Sequence, residues 1–157
     1  MNLPRRNFLQ RATLFTAAAA AFGSGLLKSA GAWAATTWNV QAFTAKTASD
    51  AYSRSGYANA VNSSDIVLKL PEIAEDGSVV PVQASSNIPG TTSMAIFVPD
   101  NPNPLIADFT FLNGAEPFIA TRIKMAKTSS VQIMAKADGK VYMTSKSIKV
   151  TAGGCGG

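Results

Sequence analysis

The single cysteine of this 157-residue chain, Cys155, stands between two glycine pairs in Gly153-Gly154-Cys155-Gly156-Gly157. A thiol can serve as nucleophile, metal ligand, disulfide partner or covalent handle, and its surroundings decide which. Here the surroundings carry no side chain that could bury the sulfur or lower its pKa, and four glycines around it predict a flexible arm. A nucleophilic cysteine needs a nearby base or cation. The chain has no histidine, Lys149 is six positions back, and the terminal carboxylate close by has the wrong sign. A solvated thiol keeps its ordinary pKa, so only about three per cent is thiolate at pH 7. The sulfur is therefore expected to be presented to other proteins and activated in an active site that is not its own.

Other constellations carry less. Glu72, Glu75 and Asp76 could form an acid/base cluster, but Asp76-Gly77 beside them reads as a solvated turn. Met94, Met125, Met134 and Met143 would suit Cu(I) as thioethers, yet they are scattered over separate segments, and packing is the better reading. Asn101-Pro102-Asn103-Pro104 is either a binding loop or a plain connection between strands, with the connection preferred. No zinc, haem, iron–sulfur or nucleotide motif is present, so no cofactor is expected.

The N-terminus addresses the compartment. Arg5-Arg6 is followed by Phe8-Leu9, an alanine-rich apolar stretch to Leu27, Lys28, and Ala32-Trp33-Ala34. That order of charged, apolar and small residues is a cleavable signal, and the paired arginines favour twin-arginine (Tat) export to the periplasm. The apolar stretch falls short of the ~20 residues that a membrane span needs. Residues 1–34 are thus expected to be removed. With them go Arg5, Arg6, Arg11 and Lys28, so the formal +5 of the whole chain falls to ten basic against nine acidic residues. Neither nucleic acid nor membrane binding is supported by that balance. Lys136, Lys140, Lys146 and Lys149 are read as solvent-facing strand positions. A lone cysteine in an oxidising compartment cannot staple its own fold. It is an intermolecular partner or a working thiol.

Short alternating runs predict the elements that position the thiol. Strands are expected over residues 66–70, 79–86, 94–98, 105–112, 119–125, 131–136 and 141–150, separated by turn signals. Ile119, Thr121, Ile123 and Met125 share one face, with Ala120, Arg122 and Lys124 on the other. Val131, Ile133 and Ala135 likewise oppose Gln132, Met134 and Lys136. Asp138-Gly139 predicts a two-residue hairpin. Residues 47–61 are helix or turn with poor apolar spacing. Six or seven strands with little helix indicate an all-β, immunoglobulin-like antiparallel β-sandwich over residues 35–150, with a short helical or irregular segment before it and a carrier arm over residues 151–157. Counted from Val150, Cys155 can reach roughly 17 Å.

These residues resemble the SoxY family of periplasmic sulfur carriers. The likeness rests on the terminal pentapeptide, Leu70-Pro71-Glu72-Ile73-Ala74-Glu75-Asp76-Gly77, Val80-Pro81-Val82, Asn101-Pro102-Asn103-Pro104, Ala107-Asp108-Phe109 and Ala120-Thr121-Arg122-Ile123-Lys124. The resemblance implies a non-catalytic protein whose Cys155 holds sulfur intermediates of thiosulfate or sulfide oxidation, with Gly153, Gly154, Gly156 and Gly157 as its flexible arm. It implies a heterodimer with SoxZ and transient encounters with the SoxAX cytochrome, the SoxB hydrolase and, where present, SoxCD. The apolar positions among residues 119–125 are the expected partner face. The alternative, drawn from the residues alone, is a structural periplasmic β-sandwich whose terminal cysteine joins two copies by a disulfide.

Overall fold

The computed structural model describes residues 38–151. The expected leader and the terminal pentapeptide with Cys155 therefore lie outside the described residues. The C-terminal hairpin forms where Asp138-Gly139 predicts it. Strands β8 (Ser129–Ala137) and β9 (Lys140–Val150) pair antiparallel from Ala137↔Lys140 to Ser129↔Ile148. The turn residues have φ of +49° and +73°, the left-handed pair that matches the twist of the flanking strands.

Around this hairpin a large sheet assembles. Strand β5 (Thr91–Phe97) pairs with β8 on one side and with β6 (Leu105–Thr110) on the other. Two short pieces, β1 (Val61–Asn62) and β3 (Ile73–Ala74), run parallel to β9 along its other edge. A second sheet contains β2 (Ile66–Lys69), β4 (Val80–Ser86) and β7 (Phe118–Ile123), in the order β2-β4-β7. The core between the sheets takes Val80, Val82, Ile119 and Ile123 from the small one and Met94, Ile96, Val131, Ile133 and Ile148 from the large one. The sandwich expectation stands, with nine strands among the described residues instead of six or seven. The two additions are parallel and only two residues long, too short to show alternation. Pro81 sits in central strand β4 without breaking it, because β2 reaches only residues 83–86 and leaves Pro81 on a locally open edge.

Two expectations about faces need correction. Ile119, Ile123 and Met125 are not a partner face. They are buried in the core, and the outer side of β7 presents Phe118, Ala120, Arg122 and Lys124 instead. Met134 is not on a solvent face either, being only 2 % exposed. The large sheet is covered on its outer side by helices α1 (Val40–Phe43) and α2 (Ala48–Ser55). A second core forms there from Ala42, Ala51, Tyr57, Phe97, Leu105 and Met134. Thr47 caps α2 by accepting from the Asp50 N–H at 3.2 Å. Gly56 ends the helix at φ +72°, with Gly56 N–H to the Ser53 carbonyl at 3.2 Å and Tyr57 N–H to the Tyr52 carbonyl at 2.8 Å. This left-handed turn, which a side chain would strain, aims Tyr57 back into the layer beneath the helix.

The proline-rich loop is an inter-strand connection with a fastening role. Asn101 is buried, donates its amide to the Lys124 carbonyl at 2.7 Å and accepts from the Ala126 N–H at 2.9 Å. It ties the β5–β6 loop to the β7–β8 loop.

Candidate functional site at the end of the last strand

The described chain stops four residues short of Cys155, and its last turn of backbone is held from two sides. On one side β3 lies alongside, with Ile73↔Lys149 and Ala74↔Val150 in register. Lys149 N–H donates to the Glu72 carbonyl at 3.0 Å, Thr151 N–H to the Ala74 carbonyl at 3.0 Å, and the Thr151 hydroxyl to the Glu75 carbonyl at 3.1 Å. On the other side the Thr128 hydroxyl accepts from the Val150 N–H at 2.9 Å and donates to the Val150 carbonyl at 3.3 Å. The anchor therefore extends one residue past Val150, to Thr151. From there an extended chain carries Cys155 roughly 14 Å.

The acidic trio near this root is a surface turn. Glu72, Glu75 and Asp76 are all exposed. Asp76 accepts from the Ser78 hydroxyl and from the Ser78 N–H, both at 2.7 Å, and these bonds hold its carboxyl below the usual carboxylate range. Among the described residues no group of three or more histidine, cysteine, aspartate or glutamate side chains is placed to hold a metal ion. The methionines divide between the two cores, Met94 and Met125 in one and Met134 and Met143 in the other, as packing residues.

A polar cluster that runs from the second core to the surface went unnoticed in the sequence. The Tyr57 hydroxyl lies 2.8 Å from Asp108 Oδ1 and 3.0 Å from Ser93 Oγ. Lys136 is not the solvent-facing residue expected. Its Nζ sits 3.9 Å from the Tyr57 ring centroid and donates to the Ser55 carbonyl at 2.8 Å. Burial pushes the Tyr57 hydroxyl far above its ordinary range, the Ser93 bond opposes this, and the Asp108 charge and bond add to it, so Tyr57 stays a donor. Burial also raises Asp108, against the Tyr57 bond and the Lys136 charge, and it lowers Lys136, against the Asp108 charge. One signal pointed here. Asp108 interrupts the apolar run of residues 105–112, where a carboxylate needs a partner. Tyr57 is wholly buried, Lys136 half-buried and Asp108 exposed at the rim, so the cluster fastens the helical layer to the sheet from the core out to the surface.

A pH dependence follows. A carboxyl whose folded pKa is raised binds more protons folded than unfolded, so its contribution to stability increases as pH falls through that raised value. Relative to Asp108→Asn, the wild-type protein should therefore gain stability as pH drops from neutrality toward the upper edge of the carboxylate range. Chemical denaturation of both proteins across that interval checks the sign, and parallel curves would contradict it.

The family model of the sulfur oxidation protein SoxY matches residues 53–155, about two thirds of the sequence and inclusive of Cys155. The sulfur carrier protein SoxY from Chlorobium limicola f thiosulfatophilum is similar in structure, with 36% identity and a TM-score of 0.58 over 65% of this chain and 94% of that one. Two further solved chains align more loosely. One comes from a structure of toxic shock syndrome toxin-1 and T cell specificity, at 16% identity, TM-score 0.38, covering 54% of this chain and 98% of that one. The other is the human F-spondin reeler domain, at 9% identity, TM-score 0.37, covering 57% and 95%. No curated protein matches. The chain belongs to the SoxY family of sulfur oxidation proteins.

Proposed function

We propose that this protein is a covalent carrier of sulfur intermediates, with Cys155 as the attachment point and Gly153, Gly154, Gly156 and Gly157 as its flexible arm. The observation that carries the reading is the two-sided fastening of Val150 and Thr151, four residues before the single cysteine. A handle needs a fixed base and a free end, and this arrangement supplies the base. Family membership and the likeness to a sulfur carrier protein support the same role.

Loading thiosulfate forms an S–S bond between the Cys155 sulfur and the outer sulfur of thiosulfate. The thiol proton and two electrons leave, the electrons to a SoxAX-type cytochrome. Hydrolysis by a SoxB-type enzyme then places water's oxygen on the sulfonate sulfur, releases sulfate and leaves a persulfide on Cys155. A SoxCD-type enzyme, where present, oxidises that outer sulfur to a sulfonate, taking the oxygens from water and passing the electrons to a cytochrome acceptor, and a second hydrolysis then releases sulfate and restores the Cys155 thiol. The chain supplies the handle and these partners supply the catalysis. It works as a heterodimer with SoxZ in the periplasm, exported through the twin-arginine signal of residues 1–34.

Intact-mass measurement on protein from cells grown on thiosulfate tests this. Sulfur-sized and thiosulfonate-sized adducts are expected on Cys155 and none on Cys155→Ser. A free thiol under every growth condition, or a disulfide-linked dimer as the sole modified form, would overturn the proposal.

A further inference from the structure

The edges of the two sheets leave a hollow between them. Strand β6 ends the large sheet and β7 ends the small one. A depression of about 410 Å³ is lined by Leu105 and Ile106 of β6, by Arg122 of β7 and Lys124 just past it, and by Asn103 of the proline-rich loop. Its charge is of one sign. Arg122 and Lys124 are exposed, and among the described residues neither side chain has an ion-pair or hydrogen-bond partner. Lys46 adds a third cation at the rim, its Nζ donating to Asn103 Oδ1 at 2.7 Å. No described carboxylate lines the hollow. Asp100, close to it in sequence, is taken up by Lys127 at 3.5 Å and by the Ser129 hydroxyl at 2.9 Å. Arg122 and Lys124 stand two residues apart, about 7 Å along an extended chain, a gap that their long side chains can close on one oxyanion.

Chain length and charge select the occupant. The Val150 N–H bonds the Thr128 hydroxyl, so the C-terminal arm and the loop of residues 124–128 start side by side. From Thr151 to Cys155 is four residue steps, and from Thr128 back to Lys124 is also four, roughly 14 Å each at full extension. Even a fully extended loop therefore puts Lys124 no farther from the root than the arm can stretch. The cargo's own S–S bond and the lysine stem supply the rest. At the root, by contrast, Glu72, Glu75 and Asp76 present exposed carboxylates. These repel a negatively charged cargo, whereas the hollow attracts it.

We propose that this hollow is the resting site of the loaded arm, where Arg122 and Lys124 hold the terminal sulfonate of the cargo on Cys155 between encounters with partner enzymes. The inference rests on the carrier reading, which supplies the cargo. A free thiol offers no sulfonate, so the arm is held when loaded and released once hydrolysis has removed the sulfonate as sulfate. While docked, the S–S bond of the cargo is kept from stray thiols.

The test needs no partner enzyme. Tetrathionate loads the purified protein: the Cys155 thiolate attacks an inner sulfur, a new S–S bond carries the sulfonate, and thiosulfate leaves. Methyl methanethiosulfonate gives a neutral methyl disulfide on the same sulfur, with methanesulfinate leaving, as the control. In backbone amide NMR the sulfonate adduct is expected to shift residues 103–106 and 122–124, and the methyl adduct is not. The loaded protein is then exchanged with mercaptoethanol. Arg122→Gln together with Lys124→Gln should speed this exchange at least about threefold at low salt. The gain should vanish at about 1 M salt, where charges are screened within about 3 Å. Loss of two cations would by itself slow an attacking thiolate, so acceleration marks release from the hollow. Shifts confined to residues 149–151, equal shifts with the methyl adduct, or exchange no faster in the double variant would each overturn the proposal. The two readings fail separately, since missing adducts in cells overturn the carrier role and these outcomes overturn the docking of a loaded arm.

Discussion

Tyr57→Ala is expected to cost about 4 kcal/mol of folding stability, the largest effect of any single truncation in the helical layer. The ring is wholly buried and meets the Phe97 ring edge-on at 5.8 Å between centroids. Its loss leaves a cavity between α2 and the sheet. It also removes the hydrogen bonds to exposed Asp108 and buried Ser93 and the ring under Lys136, and a buried hydroxyl that loses its partner adds its own cost. Tyr57→Phe isolates that polar part. It keeps the packing and should cost about 1–3 kcal/mol. Urea titrations of the three proteins separate the contributions, and a Tyr57→Ala protein within about 1 kcal/mol of wild type would show that the helical layer does little for the fold.

The second large effect falls on function. If Cys155 is delivered into narrow active sites, a branched side chain beside it should obstruct delivery without altering the sulfur. Gly154→Val and Gly156→Val are expected to slow turnover of a loaded or loading partner enzyme on the order of 10²-fold, the scale on which a misplacement of about 1 Å acts. Reaction of the same thiol with a small soluble disulfide reagent should change less than about twofold, since its ordinary thiolate fraction is unaffected. Unchanged turnover with both variants would contradict delivery into a confined site.

The parts of the fold legible in the sequence are those where a local rule acts alone. Asp138-Gly139 defines its hairpin because its turn demands two left-handed residues. Strand β4 is legible because it alternates buried and open positions. The C-terminal hairpin was half legible. Val131, Ile133 and Ala135 face the inter-sheet core as period two requires, but Met134 and Lys136 face a second layer of protein. That layer comes from residues 40–57, whose contacts with the sheet use Ala42, Ala45 and Ala51. Small side chains leave little apolar periodicity to detect, so its helix did not stand out. Strands β1 and β3 are set by pairing with β9 and by nothing in their own two residues. Cys155 could be singled out from its neighbours alone, whereas the fastening of its root at Thr128 and Thr151 depends on residues 20 to 80 positions away.

That fastening has a mechanical consequence. Strand β9 lies inside the large sheet, paired with β8 from Lys140 to Ile148 on one side and with β1 at Tyr142–Met143 and β3 at Lys149–Val150 on the other. Consider a pull that a partner applies at Thr151 along the axis of β9. The load is then shared by many ladder bonds at once, in shear, and is not taken one bond at a time as in a strand peeled from an edge. Under such a load the strand does not begin to unzip from Thr151.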